Sequence, residues 1–242
     1  MIDGSSTLAA GSGPYASGGL RLTFAGADVV CLPGGGLWLG AEDAMIVADL
    51  HLEKGSFYAR NGQMLPPYDT NDTLARLAAD IIAFSPRMLV FLGDSFHDRA
   101  AQARMTKGQH DHIVALSADR AVVWVTGNHD RAGPRDLPGV CLATLTLGGL
   151  RFVHEPSGEA AMGEVAGHLH PCARVQARGC SVRRRCFVTD GRRMILPAFG
   201  AFAGGLNILE PAFELLLGRR PLAGVLGEGK VHAVGWRSLK PD

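Results

Sequence analysis

Ala44-Met45-Ile46-Val47-Ala48-Asp49-Leu50-His51 is an apolar run that ends on two polar side chains spaced two apart. The construction recurs downstream, where Met88–Leu92 (MLVFL) runs into Gly93-Asp94 and Ala121–Val125 (AVVWV) runs toward Gly127-Asn128-His129-Asp130. Continuous apolar runs of this length suit strands covered on both faces. Between them the sequence reads as helical. Asp69 or Thr70 can cap a helix carrying Leu74, Leu77, Ile81 and Phe84, which Pro86 ends. A second, polar-faced helix is expected over Ala100–Ser117. Strand–helix–strand–helix–strand predicts a parallel sheet with helices outside it, an α/β fold.

Upstream, Leu20–Ala25, Asp28–Leu32 and Gly36–Leu39 are short alternating runs broken by glycine, read as antiparallel strands at a sheet edge. After Val140 the texture changes to short strands, with hairpins expected at Gly148-Gly149 and at Asp190-Gly191, the latter a type I′ signal. The whole points to two sheets packed face to face and flanked by helices, a four-layer αββα sandwich. Residues 1–19 read as a flexible Gly/Ser/Ala-rich tail, and no composition break divides 20–242, which is expected to be a single domain.

Apolar content of 47% and charged content of 19% describe a soluble globular chain, and a net charge of +1 leaves the partner open. No apolar run is long enough to span a membrane. The N-terminus lacks the basic cluster and apolar stretch of a secretory signal. Five scattered cysteines without a C-x-x-C pair argue against a disulfide framework or zinc ribbon, so free thiols in a reducing cytoplasm are expected.

Asp49, Asp94 and Asn128 each fall at the carboxyl end of an expected buried strand, the edge where open α/β sheets gather ligands. Two residues apart in extended chain, Asp49 and His51 face the same way, and His168 and His170 repeat that geometry around Leu169. Gly93, Gly127 and Gly167 each precede one of these residues and give the backbone freedom to leave a strand sharply. Carboxylate, imidazole and amide oxygen without thiolate suit Mn²⁺, Fe or Zn²⁺ rather than a structural zinc.

In order, D-x-H (49–51), G-D (93–94), G-N-H-D (127–130), His154 and G-H-x-H (167–170) hold five of the nine histidines. This series resembles the calcineurin-like metallophosphoesterase superfamily. The resemblance implies two divalent ions, Mn²⁺ first among the candidates. One would be held by Asp49, His51, Asp94 and His170, the other by Asp94, Asn128, His154 and His168, with Asp94 shared. Two ions, two carboxylates and one hydroxide leave a net charge of about +1, suited to a singly charged phosphodiester. It also implies that His129 contacts the phosphate and protonates the leaving oxygen, with Asp130 as orienting partner. His97 and Asp98 are read either as substrate-facing or supporting groups or as the exposed start of the next helix.

Asp-Leu-His-Leu-Glu-Lys-Gly (49–55), Gly-Asp-Ser-Phe-His-Asp (93–98) and Leu-Pro-Ala-Phe-Gly-Ala-Phe-Ala-Gly-Gly-Leu (196–206) look like the DNA ligase-associated branch. Such bacterial proteins are encoded beside a DNA ligase, a helicase and a predicted exonuclease. A Mn²⁺-dependent phosphodiesterase or endonuclease in DNA repair is implied. Arg174, Arg178, Arg183, Arg184, Arg185, Arg192 and Arg193 offer a basic ribbon whose only acid is Asp190. It can track a phosphate backbone, with Arg183 and Arg185 on one strand face, or protect a solvated edge strand. No aromatic interleaving of the kind that stacks bases accompanies it. The rival readings are a small-nucleotide or 2′,3′-cyclic phosphate phosphodiesterase and, least supported because every ligand is kept, a non-catalytic scaffold.

Overall fold

In the computed structural model the described residues are 18–242, without 64, 67, 130–132, 159–161, 178 and 219. Residues 1–17 of the expected tail therefore lie outside the described residues. At its end, the Gly18 carbonyl accepts the Val231 N–H at 2.8 Å.

The first sheet runs β1 (Leu20–Phe24), β2 (Ala27–Cys31), β3 (Leu37–Leu39), β4 (Ala44–Val47), β5 (Met88–Leu92), β6 (Ala121–Val125) and β7 (Val140–Leu142), paired in that order. β1 to β4 form an antiparallel meander, and β4 to β7 are parallel. The second sheet contains β8 (Leu145–Leu147), β9 (Leu150–Val153), β10 (Glu164–Ala166), β11 (Pro171–Ala177), β12 (Cys180–Thr189), β13 (Arg193–Ile195) and β14 (Leu206–Asn207). Three more strands extend it: β15 (Leu222–Gly227) on β12, β16 (Lys230–Gly235) on β15, and β17 (Leu239–Lys240) on β11.

The apolar runs are two-sided because both faces are covered. Ala44, Ile46, Val90, Leu92, Val123 and Val125 turn toward the second sheet and meet Phe152, Val165, Phe187 and Leu196. Their neighbours Met45, Val47, Leu89, Phe91, Val122 and Trp124 turn outward onto Leu74, Leu77, Ile81 and Ile113. The helices there are α1 (Lys54–Arg60), α2 (Asp69–Phe84), α3 (Ala101–Arg104) and α4 (Lys107–Ser117). On the far side of the second sheet the expected helical layer is thin. One turn, α5 (Pro211–Glu214), covers it with Ile208, Leu217 and Leu239.

Several local expectations shift by a residue or two. The helix foreseen over Ala100–Ser117 breaks at Met105, and Thr106 restarts it with a capping box to Gln109. Tyr68, not Asp69 or Thr70, is the N-cap of α2. The side chains of Asp69 and Thr70 are engaged elsewhere, accepting the Gly55 and Glu53 N–H groups. Gly148 and Gly149 both have positive φ, as a type I′ turn requires. At the other hairpin Asp190 N–H bonds to the Arg193 carbonyl, so Gly191 and Arg192 are the central pair. Only Gly191 of these two has positive φ, the pattern of type II′ rather than the expected I′. Among the described residues no helix is long and apolar enough to cross a membrane.

Candidate metal centre

All the expected ligands collect at one edge of the sandwich. Asp49 follows β4, Asp94 follows β5 and Asn128 follows β6, while His154 follows β9 and His168 and His170 lie between β10 and β11. The β4–β5 ladder continues past the strand ends, through Asp49 N–H to Gly93 O, His51 N–H to Asp94 O and Leu52 N–H to Ser95 O. Gly167 N–H bonds to His154 O in the second sheet. The loops are thus held side by side before any side chain acts.

The segment 196–206 ties the two sheets together. Leu196 N–H reaches Ala166 O, Phe199 N–H reaches Ala48 O and Gly200 N–H reaches Asp49 O. Arg76 and Arg185 both donate to the Phe199 carbonyl.

The backbone is strained where the chemistry gathers. Asp49, His51, Asp94, His168 and His170 all have φ between 46° and 70°. Non-glycine residues held there cost of order 1–3 kcal/mol each, and such residues cluster at functional sites. Gly93, at φ 73°, supports one of them, and a Cβ there would collide with the His154 ring. Gly167 is needed for a different reason than the expected sharp exit. Its φ is ordinary, but a Cβ would stand 2.7 Å from Asp49 Oδ2.

Three imidazoles are fixed by backbone carbonyls. His154 Nδ1 donates to Leu92 O at 3.2 Å, His170 Nδ1 to Gly204 O at 3.1 Å and His129 Nδ1 to His97 O at 2.6 Å. A carbonyl only accepts, so Nδ1 carries a proton and each ring aims Nε2 into the site, as a lone pair whenever the ring is neutral. There the lone pairs face one another. His170 Nε2 lies 3.1 Å from His51 Nε2 and 3.5 Å from Asp49 Oδ1. His154 Nε2 lies 2.9 Å from Asn128 Oδ1, 3.3 Å from His168 Nδ1 and 3.4 Å from Asp94 Oδ1. Asp49 Oδ1 is buried with no hydrogen-bond partner, while its Oδ2 accepts the His168 N–H.

Acceptors converging without protons between them repel unless a positive charge sits among them. The ligand atoms of Asp49, His51 and His170 lie within 4.8 Å of one another, and so do those of Asp94, His154 and His168. These two triads fit two cations, and their oxygen and nitrogen donors fit divalent metals of the Mn, Fe and Zn type. Titration points the same way. Burial and the facing His170 push the His51 pKa down to about 2, so its ring is a neutral donor. Burial also opposes charge on His154, but the Asp94 hydrogen bond and the Asp49 and Asp94 carboxylates outweigh it and raise that pKa to about 9. A cation is wanted in that triad.

His129 stands beside the triads, its ring 39% exposed and its Nε2 3.8 Å from Asp94 Oδ2. Its N–H bonds to Asp94 Oδ1 at 2.9 Å. Asp130, its expected orienting partner, lies outside the described residues; among those described, the His97 carbonyl holds the ring. His97 itself is half-buried and packs near His51 and His129. Asp98 does not face the site. It accepts from both terminal nitrogens of Arg104 and from the Ala100 N–H at the start of α3.

The arginine ribbon divides. Arg193 is buried against Glu164 at 2.8 Å, and Arg185 is half-buried, bonding the Ala198 carbonyl at 2.6 Å. Burial brings the Arg185 pKa down to about 10. Arg174 and Arg183 both reach Asp242, and Arg183 also donates to the Gly205 carbonyl. β12 pairs with β11 over 180–185 and with β15 and β13 only from Cys186 onward. Among the described residues the stretch carrying Arg183, Arg184 and Arg185 therefore has a strand on one side, and the edge-strand reading still stands beside the phosphate one. Arg178 lies outside the described residues.

Sequence reasoning passed over Glu53, which is buried and accepts from Thr70 Oγ1. It also passed over Phe57 and Tyr58, whose rings lie 4.7 and 5.8 Å from that of His97. The motif Asp-Leu-His-Leu-Glu-Lys-Gly contains Glu53, but nothing in its spacing marks a pin between α1 and α2.

No family model and no curated protein matches the chain. Among solved structures it is similar to the nuclease MPE of Pseudomonas putida, with TM-score 0.67 and 27% identity, covering 89% of this chain and 100% of that one. Yfce, a phosphoesterase from E. coli, aligns over 79% of this chain and 97% of its own at 14% identity and TM-score 0.39, too low to carry an argument. The two-sheet sandwich, the ordered motifs and their convergence at one edge, together with the full-length likeness to MPE, make the chain a member of the metallophosphoesterase superfamily.

Proposed function

We propose that the chain is a two-metal phosphodiesterase that cuts nucleic acid. The observation that carries this reading is the pair of facing triads whose lone pairs point inward, with the partly exposed His129 ring beside them. Asp49, His51 and His170 would hold one ion, and Asn128, His154 and His168 the other, with Asp94 reaching both. When bound, such a pair activates water at neutral pH and neutralises charge on the transferring phosphoryl group.

The chain's own residues supply the rest. His129 presents Nε2 toward the site because its Nδ1 proton is held by the His97 carbonyl. With Nε2 protonated, it hands that proton to the leaving oxygen. Nucleic acid as substrate is supported by the likeness to a nuclease over nearly the whole chain.

The finer reading follows the motifs at 49–55, 93–98 and 196–206: Mn²⁺ as the native metal, a cytoplasmic setting, and repair alongside a ligase, a helicase and an exonuclease. A small-nucleotide or cyclic-phosphate substrate uses the same centre and is the second reading, favoured by the arginines that Glu164 and Asp242 withdraw from the ribbon.

Asp94→Ala removes a donor from both ions. Elemental analysis should find a large drop in bound metal, and turnover of bis-nitrophenyl phosphate should fall to background. A variant that keeps two ions and near-normal turnover would overturn the assignment.

A further inference from the structure

Beside His129 the structure carries a ladder of rings outside the two triads assigned to metal, although the ligand atoms of His97 and His129 also come within 4.8 Å of that of His51. The His97 ring lies 5.8 Å from that of His129, centroid to centroid, with 28° between their planes. Tyr58 continues in the same sense, 5.8 Å from His97 and tilted by 31°. Phe57 stands edge-on to His97 at 4.7 Å and 71°, bracing it from the side. Tyr58 and Phe57 come from α1, His97 from the loop after β5 and His129 from the loop after β6. All four residues are only partly buried. Aromatic side chains that served packing alone would turn their faces into the core, as Phe91 and Trp124 do, both buried and stacked at 4.1 Å.

We propose that Tyr58 and His97 form a stacking subsite for a planar heterocycle, the nucleobase of the nucleotide carrying the leaving oxygen. The subsite rests on the phosphodiesterase reading and deepens it. His129 gives its proton to the leaving oxygen, so the group attached to that oxygen departs on the His129 side. The next surface on that side is the His97 and Tyr58 ladder. A flat ring laid across offset faces gains contact with both, and every base has such a face, so the subsite takes bases without reading their identity. Tyr58 touches no metal triad, which makes it the specificity-determining residue to alter.

The test uses the metal-loaded full chain and dinucleoside monophosphates with either the 5′ or the 3′ base replaced by an abasic sugar. Hydrolysis is followed by chromatography. Wild type should cleave the fully based compound with a kcat/KM about 5- to 150-fold above that of one abasic isomer, the range expected for one stacked base. Tyr58→Leu should erase that preference while cutting the same abasic isomer at the wild-type rate, which also reports that the variant is folded. Tyr58→Phe and Tyr58→Trp keep the face and should keep or raise the ratio, and they decide the matter if the leucine variant folds poorly.

A wild-type ratio near one for both isomers overturns the subsite, as does a leucine variant that retains the preference. Failure to cut any dinucleotide, with metal bound, instead refutes the phosphodiesterase reading beneath it.

Discussion

His129 is where proton transfer and metal binding separate. Its ring is held by the His97 carbonyl, and its Nε2 lies 3.8 Å from Asp94 Oδ2. Replacing it with alanine should lower kcat by about 10²- to 10⁴-fold, the usual worth of general acid help. Both ions should stay bound, by elemental analysis. The loss should shrink for a diester with a nitrophenol leaving group, which departs without a proton. Equal losses for good and poor leaving groups would assign His129 to holding the phosphate instead. Asp49, His51, Asp94, His168 and His170 were legible at this scale because each sits at a fixed offset from an apolar run or a glycine. Their left-handed backbone was only faintly legible, since Asp and His are enriched at positive φ but most of them do not adopt it. Tyr58 was missed because its neighbours on the ladder lie about forty and seventy positions further along the chain.

At the scale of elements, each two-sided strand of the first sheet was readable because both its faces are apolar. The ends of helices were not, because the residues that look like caps serve another element. Asp69 and Thr70 turn from capping to the start of α1, and Glu53, Gly55 and Arg104 make that junction a polar knot. A second buried polar group of α2 faces the β2–β3 loop. Asp80 Oδ2 has no hydrogen-bond partner and sits so close to Gly34 that a Cβ there would collide with it. Burial raises the Asp80 pKa to about 6, against the opposing pull of Arg76. A carboxyl whose folded pKa is raised binds its proton more tightly when folded, so stability falls as pH climbs from about 4 to about 6 and is flat above. Two units would correspond to about 3 kcal/mol, but partial solvent contact and Arg76 reduce this to about 1 kcal/mol. Asp80→Asn should therefore flatten the stability slope across that window, read as urea midpoints at several pH values. An unchanged slope would show that the Asp80 carboxyl does not titrate with folding.

Across the whole molecule the arginines are what a linear reading misjudges most. A ribbon over 174–193 looked continuous because a sequence cannot show which way each side chain turns on its strand, nor which distant acid meets it. Arg185 and Arg193 turn inward to the Ala198 carbonyl and to Glu164, and Asp242 arrives from the end of β17 to lie on Arg174 and Arg183. Arg183 and Arg184 remain exposed on β12, and Arg183 borders the Gly204-Gly205 turn that steadies His170. That position puts cationic charge at the rim of the metal edge, where a strand running past the site would lay its phosphates. If nucleic acid lies there, wild-type affinity should fall steeply as salt rises. The Arg183→Ala, Arg184→Ala double variant should then lower the slope of log K against log salt by about 0.7–0.9 for each phosphate it no longer neutralises. Titrating both proteins against one oligonucleotide at several salt concentrations reads the difference directly. The edge-strand reading still competes, since among the described residues the 180–185 half of β12 is paired with β11 and with no second strand; it expects an unchanged slope with poorer solubility of the double variant. An unchanged slope would move the substrate from nucleic acid toward a small nucleotide or a cyclic phosphate, which reaches the two triads without touching β12.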